Sequence, residues 1–360
     1  MRTLFDMERN ELLLTGQELP QGILEGDGEL EAVETVSRSY PMRVTRYYAD
    51  LIEKGNRECP VRKQCIPNIR ELDTWLGFED DPLGEEAFSP VPFLIHKYRD
   101  RAAFLASTSC FMYCRHCTRK NTAITRPHVT DEEFDRILEY LRQTKEIRDV
   151  LITGGDPLTL SDEKLEYYLS EIRKISHIET VRIGTRAIVT YPRRITKELA
   201  DMLGRYHPLW INTQFNHPAE ITKEAAGACE ILQTAGIPIG NQTVLMHGIN
   251  DDIDTMERLV TGLIRIRVRP YYLYQLDRVK GTEHFYVPYE KGMEIVEELR
   301  RRVSGYAVPR FVIDAPGPDG GKIVVEKNHI LNCMDGCLTL AGREAGTTAE
   351  YRFPREGEGR

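Results

Sequence analysis

No stretch of the 360-residue chain strings together the roughly 18 apolar residues that a membrane-crossing helix requires. The segment Met1-Arg2-Thr3-Leu4-Phe5-Asp6-Met7-Glu8-Arg9-Asn10 carries acids and lacks a sustained apolar core. Neither secretion nor a membrane span is therefore expected, and the expected location is the cytoplasm. Basic runs long enough to track a phosphate backbone are also missing, and the formal net charge is −8 with a pI of about 5.7. Nucleic acid is thus not an expected partner, and the substrate is expected to be a small molecule. In such a compartment the eight cysteines are reduced thiols or metal ligands rather than disulfides. With 41% hydrophobic residues the chain has the make-up of a globular protein with one large core or two modest ones.

Three of the cysteines stand together in Ser109-Cys110-Phe111-Met112-Tyr113-Cys114-Arg115-His116-Cys117-Thr118-Arg119. The spacing is Cys-x3-Cys-x2-Cys, and one short loop can turn all three thiolates onto a common centre. Structural zinc takes four ligands, whereas three clustered thiolates leave one iron of a [4Fe–4S] cube without a protein ligand. A zinc site completed by Cys59 or Cys65, or three unconnected thiols, are the alternatives at this point. The stretch Cys59-Pro60-Val61-Arg62-Lys63-Gln64-Cys65 lacks histidine support and reads as plain thiols.

Residues 1–100 read as a helical N-terminal extension with a proline-rich turn at Phe88-Ser89-Pro90-Val91-Pro92-Phe93. From Ala103 the pattern changes to short apolar runs alternating with amphipathic helices, which signals β/α units around a parallel sheet. The expected strands are Ala103–Thr108, Asp149–Thr153, Thr180–Gly184, Leu209–Phe215, Pro238–Met246 and Pro270–Leu276. Helices are expected at Asp131–Thr144, Asp162–Ile175, Lys197–Tyr206, Lys223–Thr234 and Asp252–Ile266, the first opened by a capping box of Thr130 and Glu133. Six units predict an α/β fold, a partial (β/α)6 TIM-like barrel over residues 101–280, followed by a C-terminal segment over residues 281–360. In such barrels the chemistry sits at the C-terminal strand ends. The cysteine loop falls there, as do Gly154-Gly155-Asp156-Pro157, Arg186, Gln214-Phe215-Asn216-His217-Pro218 and Asn241-Gln242. Each could instead merely satisfy backbone groups at a strand end.

The cysteine string resembles that of the radical S-adenosylmethionine (SAM) enzymes, and Met112 to Arg119 resembles the lysine 2,3-aminomutase family within them. The likeness runs from about Val44 to about Val325 and includes Asn216-His217-Pro218 and Asp314-Ala315-Pro316. It implies that Cys110, Cys114 and Cys117 hold a [4Fe–4S] cluster, and that Gly154, Gly155 and Asp156 form the SAM motif. Gln214 and Gln242 would lie near SAM, although the family has histidine at the position of Gln214.

The segment Asp314-Ala315-Pro316-Gly317-Pro318-Asp319-Gly320-Gly321-Lys322 is similar to the family's pyridoxal phosphate (PLP) loop, with one extra residue and Pro318-Asp319 in place of glycines. By that likeness Lys322 carries PLP and is the catalytic lysine, and a Schiff-base lysine must be neutral to react. Lys97, Tyr98 and Arg101 match the phosphate-binding region, with Lys97 in place of an arginine. Arg119 matches the arginine that pairs with the substrate carboxylate, and Asp277 and Asp314 match the two acids that hold the distal ammonium of lysine. The resemblance therefore implies an isomerase, interconverting L-lysine and β-lysine by 2,3-amino migration with an external reducing electron donor, and working as a homo-oligomer. Other members act on another amino acid such as arginine, ornithine or glutamate, or serve translation-factor modification, a branch that Leu276-Asp277-Arg278-Val279-Lys280-Gly281 resembles. Some members also carry a cysteine-rich tail that shares zinc with a neighbouring subunit. The tail here, Tyr351 to Arg360, has no cysteine, Asp252 stands near the partner position, and Cys333 and Cys337 remain as an isolated pair. A zinc-binding interaction protein that keeps the barrel without chemistry is the reading from another class.

Overall fold

The computed structural model describes residues 5, 7, 11–121 and 128–354. Most of the N-terminal segment and the last six residues of the tail, on which expectations about targeting and zinc rested, lie outside the described residues.

A nine-stranded sheet organises the chain: β1 (Leu94–Tyr98), β2 (Arg101–Ser107), β3 (Asp149–Gly154), β4 (Thr180–Gly184), β5 (Leu209–Thr213), β6 (Ile239–Val244), β7 (Arg269–Tyr274), β8 (Arg310–Ala315) and β9 (Gly321–Val324), in that spatial order. Strands β2 to β8 are parallel, and β1 and β9 close the two edges in antiparallel register. The six strands read from the sequence are β2 to β7, so the six-unit barrel stands. Parallel β8 extends it and β9 returns along it, placing Lys322 directly across from Asp314.

The crossover helices are α1 (Asp131–Gln143), α2 (Asp162–Arg173), α3 (Lys197–Gly204), α4 (Lys223–Thr234) and α5 (Ile253–Arg265), with α6 (Tyr289–Arg302) between β7 and β8. The first shows how they form. Thr130 Oγ1 accepts from the Glu133 amide and Glu133 reaches back to the Thr130 amide, which satisfies donors a helix start leaves orphaned. Phe134, Ile137, Leu138 and Leu141 then recur at helical spacing and are buried. Phe134 stacks on Phe104 of β2, ring centroids 5.4 Å apart, seating α1 on the sheet.

The sheet does not close through backbone pairing. Among the described residues its two edges are joined by side chains: Lys97 Nζ donates to the Ala315 carbonyl (2.9 Å), and the Lys322 amide donates to Tyr98 Oη (3.0 Å). Of the expected phosphate residues, Lys97 and Tyr98 thus sit on the edge strand beside the C-terminal β-hairpin and Arg101 opens β2, away from the strand ends that carry the cysteines.

The segment before β1 contributes a helix at Asp27–Ser37, a short ribbon pairing Leu12–Leu13 with Val44–Thr45, and a helix at Pro60–Cys65. It docks on the cysteine loop. The Tyr113 amide donates to the Arg43 carbonyl, the Arg115 amide to the Gln64 carbonyl, and Arg43 Nη1 to the Cys110 carbonyl. Glu71, 1% exposed, takes Arg115 on both carboxylate oxygens and Lys120 on one of them (2.8 Å). Burial alone would raise the Glu71 carboxyl, but Arg115 and Lys120 outweigh it and hold it below its ordinary value. Beyond β9 a three-stranded antiparallel sheet follows, β10 (Ile330–Met334), β11 (Cys337–Ala341) and β12 (Thr348–Arg352).

Glu71→Ala would leave two buried cations without their counter-ion, an error of about 3–5 kcal/mol. Urea unfolding is expected to show a loss of that size, and a loss under about 1 kcal/mol would mean that the triad does not anchor the extension.

Candidate active site

The loop after β2 presents Cys110, Cys114 and Cys117 as free thiols. Burial first and then the neighbouring cysteines push the Cys110 thiol up, and the same causes lift Cys117 to about 11. Two thiols whose ionisation is opposed by burial and by neighbouring sulfur, with a third cysteine on the same loop, are a donor set that a polynuclear cation relieves. Among the described residues no three His, Cys, Asp or Glu side chains group tightly enough to hold a single metal ion. Cys65 is buried, its thiol raised by burial, and it hydrogen-bonds to the Val61 carbonyl within its own helix.

Gly154 and Gly155 end β3 against this loop. A Cβ at Gly155 would stand 2.3 Å from the Ser109 carbonyl oxygen and 3.0 Å from Cys110 Sγ, so only glycine permits the approach. The Asp156 carboxylate faces inward: Thr185 Oγ1 (2.7 Å) and the amides of Leu158 and Arg186 donate to it. Its side chain positions the start of the next loop, and only the backbone of this turn faces the cysteines. Asn241 is spent in the same manner, exchanging hydrogen bonds with the Phe215 backbone. Gln242 Nε2 donates to Tyr271 Oη (3.1 Å), the Gln214 carbonyl accepts from Arg186 Nε (3.1 Å), and His116 Nε2 meets Asn216 Nδ2 at 3.3 Å. His116 is held neutral by burial and by Arg186, and its Nδ1 is buried without a partner among the described residues. An orphaned ring nitrogen beside the cysteines fits a polar ligand such as SAM.

Arg186 is the residue whose role the sequence left open. Its Nη1 donates to Cys114 Sγ (3.0 Å), and its Nη2 to Gln64 Oε1 (2.6 Å) and Glu220 Oε1 (2.7 Å). Burial opposes the cation, yet the Cys114 sulfur, Tyr48 and Glu220 outweigh it and keep it charged. A buried guanidinium on one thiolate disperses part of the negative charge that three thiolates accumulate.

At the lysine end, Lys322 Nζ lies 2.5 Å from Asp314 Oδ2. Burial disfavours the ammonium, but Asp314, Tyr274 and Tyr98 outweigh it and raise the amine well above its ordinary value. Pro318 and Asp319 lie at an exposed tip, while Gly321, at φ +93°, packs where a Cβ would be 2.7 Å from Tyr98 Oη. Tyr274 Oη is buried without a partner among the described residues and its ring lies 5.5 Å from Lys322 Nζ. A lysine in a glycine-lined cradle, with an orphaned hydroxyl beside it, fits a carbonyl cofactor such as PLP.

Thr118 Oγ1 donates to Asp277 Oδ2 (2.6 Å), linking the cysteine loop to the end of β7. Burial first, and then Asp314, push the Asp277 carboxyl up to about 7. Arg119 is not a free fork. Glu85 takes its Nε at 2.7 Å and its Nη2 at 2.6 Å. Glu85 comes from the segment before β1, behind left-handed Gly84, and no local pattern marked it. Arg101, 40% exposed, meets Asp100 at 3.5 Å, while Lys97 is depressed by burial and by Lys322 against the pull of Asp314.

Comparison with known proteins agrees with this geometry. The Radical SAM superfamily matches residues 105–260, and the family described as Lysine-2,3-aminomutase matches residues 296–357. The L-lysine 2,3-aminomutase of Acetoanaerobium sticklandii is 49% identical over 94% of this chain and 82% of its own length, and that of Clostridium subterminale 48% over the same shares. The glutamate 2,3-aminomutase of Clostridioides difficile is 44% identical over 84% of this chain and 72% of its own length. With its cysteine loop, glycine turn and lysine hairpin in one (β/α) barrel, the chain belongs to the lysine 2,3-aminomutase family of the radical SAM superfamily.

Proposed function

We propose that this protein interconverts L-lysine and β-lysine by 2,3-amino migration, with Cys110, Cys114 and Cys117 holding a [4Fe–4S] cluster, the Gly154-Gly155 turn facing SAM, and Lys322 holding PLP. When bound, these groups supply a hydrogen-abstracting radical and a conjugated system through which nitrogen can move. The observation that carries the substrate assignment is the pair Asp277 and Asp314 beside Lys322. Asp277 is raised because burial and a second carboxylate both oppose its charge. A cationic side chain between them removes that opposition, whereas a third carboxylate adds to it. Lysine satisfies the pair and glutamate does not.

The chain's own groups divide the remaining work. Lys322 has to lose a proton to become a nucleophile, and because Asp314 holds Nζ as an ammonium, that ion pair has to open first. Arg119, clamped by Glu85 along one edge, offers its remaining Nη1 to the substrate carboxylate. Reduction of the cluster calls for an external electron donor. Among the described residues no helix is long and apolar enough to cross a membrane. All eight cysteines are free thiols, which suits a reducing compartment such as the cytoplasm.

Product analysis after anaerobic reconstitution with iron, sulfide, PLP, SAM and a reductant tests the reaction, with L-lysine, L-arginine, L-ornithine and L-glutamate offered separately. β-Lysine is expected from lysine alone and is expected to vanish in Cys114→Ala and Lys322→Ala. Rearrangement of another amino acid in its place would overturn the substrate assignment. Because Asp277 sits near 7, it is protonated below that pH and ionised above it, so KM for lysine is expected to fall as pH rises from 6 to 8. Asp277→Asn should flatten this dependence and raise KM about tenfold or more; an unchanged pH profile would remove Asp277 from substrate binding. Glu85→Gln is expected to raise KM severalfold by loosening Arg119, whereas a lower KM would show that Glu85 competes with the substrate for the guanidinium.

A further inference from the structure

The cations around Tyr98 are more numerous than the sequence suggested. The guanidinium of Arg101 lies 4.1 Å from the centroid of its ring, and that of Arg343, from the loop between β11 and β12, lies 4.6 Å from it. The hydroxyl of the same tyrosine receives the Lys322 amide. Arg343 Nη2 donates to the carbonyls of Pro318 (2.6 Å) and Lys97 (3.4 Å), and its amide donates to the Asp319 carbonyl. It therefore touches both the edge strand and the enlarged loop ahead of the lysine.

These partners are neutral carbonyls. Among the described residues no carboxylate pairs with Arg343, and its charge adds to that of Lys322 in depressing Lys97, after burial. Arg343 and Lys322 both line a cavity of about 410 Å³, with Arg310, His329 and Glu326 on its other walls. Glu326 is engaged by Arg300 (2.8 Å), and His329 Nδ1 is buried without a partner among the described residues. Cations gathered beside an amine are a site for a multiply charged anion.

We propose that Arg343 completes, with Arg101 and Lys97, the site for the phosphate ester of the cofactor on Lys322. This rests on the PLP reading given above. Arg343 brings the planar two-pronged donor that Lys97 lacks, and by hooking the Pro318 and Asp319 carbonyls it also ties the loop tip to the same anion.

The test compares two ligands that differ only in the phosphate. Pyridoxal phosphate and pyridoxal are titrated into the full chain, following the Lys322-dependent absorbance band in wild type, Arg343→Gln, Arg343→Lys and Lys322→Ala. Arg343→Gln is expected to weaken pyridoxal phosphate by about ten- to a hundredfold and to leave pyridoxal unchanged, with Arg343→Lys in between. Equal weakening of both ligands would mean that Arg343 only braces the loop, and no weakening would make it a surface cation; either overturns the proposal. If wild type gives no Lys322-dependent band with either ligand, the PLP reading fails, and calorimetric titration of inorganic phosphate decides the anion site separately. Phosphate binding that Arg343→Gln abolishes would uphold it, and no phosphate binding would end it.

Discussion

The site depends on keeping charges buried beside sulfur without leaving any of them alone. Glu71 can stay ionised out of water only because Arg115 and Lys120 stand on it, and both belong to the loop that carries the cysteines. On the other side of the same loop, Glu220 is buried and ionic with Arg186, whose other arm reaches Cys114. Tyr48 donates to Glu220 and Gln64 accepts from Arg186, so the extension supplies partners to both ion clusters. Remove the extension and each cluster is left with unpaired charge, which is why a segment with no strand in the main sheet is nonetheless part of the centre.

The barrel separates two chemistries and then reconnects them. Sulfur donors and the glycine turn occupy the ends of β2 and β3, whereas the amine and its acids occupy β7, β8 and β9. The link is short. Thr118 and Arg119 follow the last cysteine directly, and the first touches Asp277 while the second is clamped by Glu85. A substrate held by these residues would lie within one loop's reach of the three cysteines, the proximity that radical transfer requires.

What could be read from the sequence was whatever is local in the chain. Alternating apolar runs, the Thr130 and Glu133 cap and the cysteine spacing each reside within a dozen residues, so β2 to β7 and α1 fall where the pattern put them. Asp314 and Lys322 were legible only through the family likeness of their segment, and that they face each other across one hairpin came from the fold. Glu85, Arg343 and the partners of Arg186 were not. Glu85 meets Arg119 across 34 residues, Gln64 meets Arg186 across 122, and the Lys97 carbonyl meets Arg343 across 246. Nothing in a charged residue's own neighbourhood says which distant charge will neutralise it. Asp156 shows the converse, since its motif was recognisable but the inward turn of its carboxylate was set by Thr185 and Arg186.

The unpaired edges of the sheet have a mechanical meaning. Lys97 and Ala315 are 218 residues apart in sequence, and Tyr98 and Lys322 are 224 apart. These hydrogen bonds, with Arg343 bridging the Lys97 and Pro318 carbonyls, close a loop that contains most of the chain, and they close it without a backbone ladder to share the load. Any molecule that grips both edges at once acts as a removable crosslink over that distance. A molecule that binds only the closed seam stabilises the folded barrel by mass action, and the more tightly it binds the larger that contribution. Occupancy at this seam and resistance of the whole barrel to unzipping are thus one quantity seen from two sides.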